Sequence, residues 1–406
     1  MTSICCITAL LITGGSDNLI FSIFSRLHKR GHTIIVYSVL PSTKFGSMKK
    51  KFEDAGIKVI SPHKIFESIF LGLGVLLFSP IFVVIPFICL FRIKPIYSHY
   101  RTLYFSIKNK FVYSGYQLIL LLRFFIDHRK NNYSIVSGYH AMVCPLLYWI
   151  RILFHIPIYY TEISSPKWRS KTVDKIHDKK YLNSFDTIFV PSKLIGEELI
   201  TYDGLIKTYT IIPFFIDLPP YCFATPNRTA NTFGVIARLS DEKNQDVLIR
   251  VLKKVLIKNT NAQLILIGTG PKAQELRNLA HSLGISDQIV FISHFERVED
   301  IIEYIDIVTL CSDAEGMPLT LLEALYFGKP IIGTSVGSIP DMVFNDYNGY
   351  IINKYEIDEI ADRILKIMEN SNLYCEMAIN SRELYISKFH TESLFKKLLP
   401  YYENKY

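Results

Sequence analysis

The segment Glu315-Gly-Met-Pro-Leu-Thr-Leu-Leu-Glu323 places two carboxylates around the start of a predicted helix. An apolar strand and an exposed turn precede it, and Pro318 suits the first turn of a helix. Carboxylates accept hydrogen bonds and can orient hydroxyl groups, while the backbone N–H groups of Met317–Thr320 can bind a diphosphate. On spacing alone, an acidic helix start at Glu315 and a solvated Glu323 are the favoured explanation of the pair.

Two cations could bind the same kind of anion. Arg238 and Lys243 lie in Gly234-Val-Ile-Ala-Arg-Leu-Ser-Asp-Glu-Lys243, where a predicted strand ends at Arg238 and Lys243 precedes a helix. Arginine offers a planar fork of donors and lysine a compact charge, so together they suit two phosphates. Such a pair would stabilise the negative charge that develops when a nucleoside diphosphate departs. Either residue alone is more often an ordinary surface cation.

Two further features carry weaker signals. The pair Gly14-Gly15 forms a strand-to-helix turn that allows close approach of a ligand, although the full G-x-G-x-x-G fingerprint is missing. His140 follows the predicted strand Ser134–Gly138 and would face the same cleft, but a lone histidine is more often structural. The sequence contains no Cys-x-x-Cys pair, Cys/His cluster or prominent Asp-x-Asp set, so we expect no metal site.

The strands and helices that could position these residues can be predicted from the sequence, in which short apolar runs alternate with amphipathic stretches. That alternation predicts an α/β protein with parallel sheets covered by helices. In the first half the predicted strands are Ile4–Ile12, Thr33–Ser38, Lys58–Ile60, Ser134–Gly138, Ile158–Thr161 and Thr187–Pro191, with a helix at Asp17–Lys29. The first apolar run is interpreted as a buried strand and not as a signal peptide.

The second half repeats the pattern. Its predicted strands are Thr232–Ala237, Gln263–Gly268, Ile289–Ile292, Ile307–Cys311, Pro330–Gly333 and Gly349–Ile352. Its predicted helices are Asp246–Ile257, Pro271–Leu283, Val298–Tyr304, Pro318–Phe327 and Ile357–Met368. We therefore expect two Rossmann-like doubly wound domains facing each other across a cleft, with ligands at the carboxyl ends of the strands.

The predicted domain boundaries follow from composition. An N-terminal domain covers 1–217, a linker rich in Pro, Thr and Asn covers 218–231, and a C-terminal domain covers 232–390. Residues 391–406 are predicted to form a helix that packs back on the N-terminal domain. A chain of 406 residues with 49% hydrophobic residues is long enough for two buried cores.

Charge and cysteine content limit the possible partners and compartments. The net charge of +8 comes from basic residues spread along the chain, which favours phosphates and a membrane surface over nucleic acid. The seven scattered cysteines are typical of reduced thiols in the cytoplasm.

One segment, Ser68–Phe91, carries no charged residue and belongs to an apolar insertion at about 65–126. Three interpretations stay open: a buried helix pair, an interfacial or re-entrant element, and a hairpin of two membrane spans. A single crossing conflicts with the strands on both sides of the segment, which must join one sheet. Basic flanking residues favour docking on an anionic membrane leaflet.

Taken together, the motifs resemble retaining glycosyltransferase family 4, whose members have the GT-B fold. In the second half the resemblance is carried by GVIARLSDEKNQDVLI, LILIGTGP, CSDAEGMPLTLLEALYFGKPIIGTSVGSIPDMV and NDYNGYII. In the first half it is carried by LLITGGSDNLIFSIFSRLHKRGHTIIVYS and, more loosely, by VSGYHAMVCPLL. The chain departs from the family pattern at Pro213-Phe-Phe-Ile-Asp217 and at Thr161-Glu-Ile-Ser-Ser-Pro, both on or near the acceptor half.

The resemblance implies a role for each candidate residue. Positions matching Arg238 and Lys243 bind the donor diphosphate, the one matching Glu323 holds the ribose, and the one matching Glu315 contacts the transferred sugar. The implied catalytic residues are Arg238, Lys243, Glu315 and the cleft histidine His140. The implied donor-binding residues are Gly15, Arg238, Lys243, Glu315, Gly316, Met317, Pro318, Leu319, Thr320 and Glu323.

The resemblance also implies an activity. We expect an enzyme that transfers a hexose or N-acetylhexosamine, with retention, from a nucleoside diphosphate, most simply UDP, to a glycan or polyprenyl-diphosphate-linked acceptor. Surface polysaccharide synthesis, such as that of lipopolysaccharide O-antigen, at the cytoplasmic face of the plasma membrane would fit that activity. We expect no cofactor or metal. The alternatives are a nucleotide-sugar epimerase, a glycoside phosphorylase, and a catalytically silent sugar-binding subunit.

Overall fold

The computed structural model describes residues 2–9, 15–40, 47–61, 115–170, 179–225, 229–293, 295 and 297–403. In these ranges the chain forms two parallel β-sheets flanked by helices. Each sheet belongs to one domain, called here the N-terminal and the C-terminal domain.

The N-terminal sheet has seven strands in the order β3-β2-β1-β4-β5-β6-β7. Its strands are β1 (Ser3–Thr8), β2 (Thr33–Ser38), β3 (Lys58–Ile60), β4 (Ile135–Tyr139), β5 (Ile158–Thr161), β6 (Thr187–Val190) and β7 (Thr210–Ile211). Its helices are α1 (Gly15–Lys29), α2 (Ser47–Asp54), α3 (115–131), α4 (Cys144–Phe154), α5 (Pro166–Arg169), α6 (Lys179–Ser184) and α7 (Lys193–Asp203). β1 is central: Ile4 pairs with Ile34 on one side and with Ile135 on the other.

The C-terminal sheet has six strands in the order β10-β9-β8-β11-β12-β13. Its strands are β8 (Thr232–Ile236), β9 (Gln263–Ile267), β10 (Ile289–Ile292), β11 (Ile307–Leu310), β12 (Ile331–Thr334) and β13 (Gly349–Ile352). The helices that follow in the chain are α8 (Gln245–Lys258), α9 (Ala273–Ser282), α10 (Glu299–Ile302), α11 (Leu319–Tyr326), α12 (Ile357–Met368), α13 (Ser371–Leu384) and α14 (Thr391–Glu403). The strand order reverses between β8 and β11, where doubly wound sheets bind their ligands.

Most predicted elements in the described ranges agree with the structure to within a few residues, while the end of the predicted strand Ile4–Ile12, from residue 10 onwards, lies outside those ranges. The prediction that a strand ends at Arg238 was wrong, because β8 ends at Ile236 and Arg238 lies in the loop beyond it. Pro318 is extended and precedes the helix, which begins at Leu319, so placing it in the first turn was also wrong. β7 was missed because two residues, Thr210 and Ile211, form no readable alternation.

Two apolar cores hold the molecule together. One covers a face of the N-terminal sheet with α3 and α4, through residues such as Phe124, Leu147 and Tyr160. The other begins on the opposite face, with Phe24, and continues through Phe215 into the C-terminal domain. The two domains therefore share a continuous apolar core on the α1 side.

The helix α14 follows the C-terminal domain in the chain but packs on the N-terminal domain. The Tyr402 hydroxyl lies 2.5 Å from Ser137 Oγ on β4, and its ring packs edge-on against Phe24 of α1. Arg26 of α1 forms ion pairs with Asp217, beside the crossing between the domains, and with Glu392 at the start of α14.

The uncharged segment Ser68–Phe91 lies outside the described residues. The end of the apolar insertion is described from residue 115 onwards and forms the first part of α3. Of the helices in the described ranges, none combines the length and the apolar character that a membrane span requires.

Candidate functional site

A cavity of about 1150 Å³ lies between the two domains. The N-terminal domain contributes the start of α1, including Gly15, and the C-terminal domain contributes loops at the carboxyl ends of its strands. Arg238, Lys243, Glu315, the stretch Met317–Thr320 and Glu323 all line it. The predicted donor-side residues are thus brought together around one space, apart from Gly316, which is buried and does not line it.

Glu315 lies in the loop between β11 and α11, where its Oε1 accepts two hydrogen bonds. Lys243 Nζ donates one at 2.5 Å and Ser312 Oγ donates the other at 2.6 Å. Both charged side chains are mostly buried at the cavity wall. This arrangement fixes the carboxylate before any ligand arrives and keeps a lysine within reach of the same space.

Lys243 is held by a short turn after β8. The turn covers Asp241–Lys243, and Asn244 follows it in the left-handed region with φ of 48°. The Asn244 amide donates a hydrogen bond to the carbonyl of Cys311 at 3.0 Å, which ties this turn to the end of β11. Arg238 precedes the turn, and its side chain is exposed at the cavity.

The N-terminus of α11 faces the cavity and is anchored on two sides. Thr320 Oγ1 donates to the carbonyl of Ile236 at 2.8 Å, at the end of β8. The backbone N–H of Phe214 approaches the Met317 sulfur at 3.1 Å from the segment that joins the domains. The N–H groups of a helix start lack partners within the helix, so this end is suited to an anion.

Glu323 lies one turn into α11 and borders the same cavity. Burial raises the pKa of its carboxyl to about 8, and the negative charge of Glu299 adds to the effect. At neutral pH the group is therefore mostly protonated. Hydroxyl donors from a ligand would favour its ionised form.

Several cavity residues were not predicted from the sequence. On the C-terminal side they are Gly268, Thr269, Ser293, Phe295, Arg297, Val298 and Glu299, which follow β9 and β10. Both strands were predicted from the sequence. Ligands bind at the carboxyl ends of such strands, so a search of the residues after every predicted strand would have found this group. On the N-terminal side Phe21 and Lys51 also face the cavity, and the Lys51 ammonium lies 4.4 Å from the centre of the Phe21 ring.

His140 lies at the end of β4 but is not among the described residues that line the cavity. Its backbone has φ of 68° and ψ of 134°, a conformation that a residue with a side chain rarely adopts. Burial lowers the pKa of its imidazole to about 4, so the ring is neutral at physiological pH. Strained backbone of this kind is common at functional sites. It therefore supports His140 as a candidate functional residue more strongly than its position in the sequence does.

A buried ionic cluster lies after the adjacent strand β5. Arg169 contacts Glu162 at 3.1 Å and also pairs with Asp203. Burial alone would raise the pKa of the fully buried Glu162 carboxyl, but Arg169 and the Ser164 hydrogen bonds hold it below its usual value. Burial raises the pKa of Asp203 to about 6.

That cluster supports a contact between the two domains. The Glu162 carboxylate accepts hydrogen bonds from the backbone N–H groups of Ile163 and Ser164, both at 3.0 Å. The carbonyl of Ile163 then packs so tightly on Gly316 that a Cβ at Gly316 would overlap it. Gly337 packs on the other side of the same loop, where a Cβ would overlap the carbonyl of Glu315.

Comparison with known proteins places the second half of the chain in a family. The sequence profile described as "Glycosyl transferases group 1" matches residues 224–384. The C-terminal domain is a member of the glycosyl transferases group 1 family. This group 1 domain contains Arg238, Lys243, Glu315 and Glu323, whereas Gly15 and His140 lie outside the matched range.

Curated relatives share mainly this group 1 domain. The chain is 30% identical over 162 residues to N-acetyl-alpha-D-glucosaminyl L-malate synthase of Bacillus anthracis, covering 40% of this chain and 41% of that protein. It is 23% identical over 236 residues to poly(ribitol-phosphate) alpha-N-acetylglucosaminyltransferase of Staphylococcus aureus (strain COL), covering 58% of this chain and 45% of that protein. The chain thus matches less than half of the length of these two relatives.

Solved structures extend the likeness to both domains. The Anabaena protein HepE, in complex with UDP, superposes with a TM-score of 0.73 at 15% identity, covering 99% of both chains. The chain therefore has the GT-B fold, as the resemblance in its sequence implied, with the group 1 domain as its second half.

Proposed function

We propose that this protein is a retaining glycosyltransferase that moves a sugar from a UDP-sugar to a hydroxyl group of a glycan or lipid-linked acceptor. The observation that carries this proposal is the cavity wall where Lys243, Glu315 and the start of α11 meet. It combines a cation, an oriented carboxylate and the N–H groups of a helix start around the cavity that Glu323 also lines. The names of the curated relatives, which are glycosyltransferases and a glucosaminyl malate synthase, support the same reaction class.

Each group has a place in the proposed reaction. The bond between the sugar's anomeric carbon and the β-phosphate oxygen breaks, and a bond to the acceptor oxygen forms on the same face. The acceptor hydroxyl passes its proton to an oxygen of the departing diphosphate. Negative charge grows on the leaving diphosphate, where Arg238, Lys243 and the α11 N-terminus would stabilise it. Glu315 would accept hydrogen bonds from sugar hydroxyls, and Glu323 from the ribose. Neither glutamate is assigned a covalent or proton-transfer role.

UDP is the donor nucleotide that we propose, and the HepE structure in complex with UDP on the same fold supports it. The residues after β9 and β10, including Phe295 and Arg297, would surround the base end of the donor. We further propose that the enzyme acts without a divalent metal, since Arg238, Lys243 and the helix start supply positive charge at the diphosphate. Full activity in excess EDTA is expected, and activity that returns only on adding Mg²⁺ or Mn²⁺ would contradict this part.

A panel of nucleotide sugars, scored by nucleoside diphosphate release with membrane-lipid extracts as acceptor, tests the activity. Lys243→Ala and Glu323→Ala should each abolish release, while Lys254→Ala and Glu359→Ala, on exposed helix faces of the same domain, should keep it. Wild-type turnover in either cavity variant would contradict the site. Release that needs no acceptor, or isomerised donor without release, would instead indicate hydrolysis or epimerisation.

The biological setting that we propose is surface polysaccharide synthesis at the cytoplasmic face of the plasma membrane. The uncharged segment Ser68–Phe91 and the net charge of +8 support a membrane-associated enzyme with a lipid-linked acceptor. Transfer to water-soluble glycans alone, with polyprenyl-diphosphate-linked glycans left unmodified, would contradict the lipid-linked acceptor.

A further inference from the structure

The outer side of α3 carries a row of large apolar side chains that no other described part of the chain covers. Leu118, Leu122, Phe125 and Ile126 are all exposed, with Leu122 at 60%. The opposite side of α3 packs into the core beneath it, where Tyr116, Leu120 and Phe124 are buried. The core contacts thus account for the inner side of α3, and among the described residues the outer row stays exposed.

The neighbouring helix α4 continues the row. Trp149, Ile152 and Leu153 are each about half exposed, with Trp149 at 51%. The Phe154 ring of α4 lies 6.0 Å from the Phe125 ring of α3, centre to centre, so the helices are adjacent. Together the seven exposed side chains form one surface, called here the apolar face.

Cations surround the apolar face. The Arg129 guanidinium lies 4.2 Å from the centre of the Phe125 ring, and the Lys180 ammonium of α6 lies 5.7 Å from that of Tyr148. Asp127 is the one acidic residue between 115 and 155, and its buried carboxylate accepts a hydrogen bond from Arg123. The charges that α3 and α4 present to solvent are therefore positive.

We propose that the apolar face docks the protein on an anionic lipid bilayer. Apolar side chains would enter the headgroup boundary, Trp149 would sit at the interface, and Arg129 and Lys180 would meet lipid phosphates. Pairing of this face with a second copy is less favourable, because a twofold contact sets each cationic rim against itself. This docking does not depend on the proposed sugar transfer.

The apolar face lies near the cleft, so docking would bring the cleft close to the bilayer. Near the start of α3, the Gln117 side chain donates to the carbonyl of Met142 at 3.0 Å, two residues beyond His140. Gln117 of α3 and the start of α4 therefore both lie beside the carboxyl end of β4. Docking would hold that end of the strand close to the bilayer, where a lipid-linked acceptor resides.

Vesicle flotation of the full chain tests the docking without any substrate. Wild type should float with phosphatidylcholine vesicles that contain phosphatidylglycerol and bind pure phosphatidylcholine less. Leu122→Gln/Trp149→Gln/Leu153→Gln should lower binding at least about tenfold, and Arg129→Glu/Lys180→Glu should lower binding to the anionic vesicles by about tenfold or more. A matched control, Ile257→Gln/Tyr304→Gln/Tyr355→Gln, removes exposed apolar side chains from the C-terminal domain and should bind as wild type does.

Thermal unfolding of each variant shows whether its fold is kept. Because the replaced side chains are exposed, melting temperatures should stay near that of wild type. No flotation of the wild-type chain with anionic vesicles, or equal binding of the apolar-face variant and the control, would overturn the proposal. A wild-type dimer that becomes a monomer in the apolar-face variant, without vesicle binding, would assign the face to a second copy instead.

Discussion

At the scale of single residues, two of the glutamates that line the cavity, Glu315 and Glu323, have different surroundings. Glu315 is paired with Lys243, whereas Glu323 has a carboxyl pKa raised to about 8 by burial and by Glu299. The sequence gives both residues the same side chain, and their neighbours in space determine the difference. Ionisable groups whose pKa is shifted in this way are common at functional sites.

Ligand binding at Glu323 should depend on pH. Ribose hydroxyls donate to a carboxylate, so bound UDP should lower the pKa of Glu323 and release a proton. UDP affinity should then rise by up to about tenfold per pH unit below pH 8 and level off above it. Calorimetric titration in buffers of different ionisation enthalpy measures both effects.

The variant Glu323→Gln provides the control for this prediction. It should bind UDP with little pH dependence and no proton release. Burial raises the pKa of Glu323 from its usual 4.5 to about 8, so the protonated group favours folding. Wild type should therefore lose stability relative to Glu323→Gln as pH rises from about 4.5 towards 8, with no further change above 8. A proton release that persists in the glutamine variant would assign the titration to another group.

At the scale of elements, two loops determine how the domains meet: the segment after β5 and the segment after β11. The buried cluster of Glu162, Arg169 and Asp203 shapes the first, and Gly337 supports the second. They touch where the Ile163 carbonyl packs on Gly316. The geometry of the cleft therefore depends on a few backbone contacts far apart in sequence.

Removing the central cation of the cluster should be costly. Arg169→Ala leaves the Glu162 carboxylate buried without its partner, and we expect a loss of about 3–5 kcal/mol in the free energy of unfolding. Arg151→Ala, which breaks a more exposed pair with Asp186, should cost about 1 kcal/mol or less. Urea titration measures both, and similar losses would show that the buried cluster contributes little to stability.

A methyl group at the contact between the loops should change activity more than stability. Gly316→Ala must displace the Ile163 carbonyl, so we expect at least about a hundredfold loss of transfer, the size of effect that a shift of about 1 Å in a reacting group can produce. Gly284→Ala is a control with open space around the new Cβ and only its left-handed backbone to strain. Normal transfer by Gly316→Ala would show that the closed contact is not needed.

The sequence predicted the elements better than the contacts between them. Strand positions such as Thr33–Ser38 and Ile289–Ile292 follow from runs of apolar residues, a local signal that the structure confirms. The Glu315 segment was found because motif, strand and helix start are adjacent in the chain. Arg169 was missed because its role depends on a partner that only folding brings near, Asp203, which is 34 residues away in the chain. Phe295 was missed although the strand before it was predicted, because the carboxyl end of that strand was not searched for ligand-binding residues.

At the scale of the whole molecule, α14 connects the two domains, which the predicted linker 218–231 separates in the sequence. It belongs in sequence to the C-terminal half, but Tyr402 is buried against Ser137, Phe24 and Tyr159 of the N-terminal domain. Arg26 connects α1 to α14 and to Asp217, next to the crossing between the domains. The chain thus crosses between the domains at two places, which restricts their relative motion.

Deleting residues 391–406 should destabilise the N-terminal domain more than the C-terminal one. The deletion exposes Phe24 and Tyr159, and hydrogen exchange should rise in β1, β4 and α1 while β8 and β11 stay protected. The milder Tyr402→Phe removes one buried hydroxyl beside Ser137 and should cost about 1–2 kcal/mol. Unchanged exchange in β1 and β4 after the deletion would show that α14 does not hold the domain together.

The same helix has a consequence for how the protein is made. At about 5–20 residues per second, the 191 residues between Thr210 of β7 and Tyr401 of α14 take a ribosome roughly 10–38 s to translate. Throughout that interval the newly made N-terminal sheet has its apolar docking site for Tyr402 open to water. Until α14 emerges, the nascent chain therefore presents a surface that chaperones can bind and that other nascent chains can aggregate with.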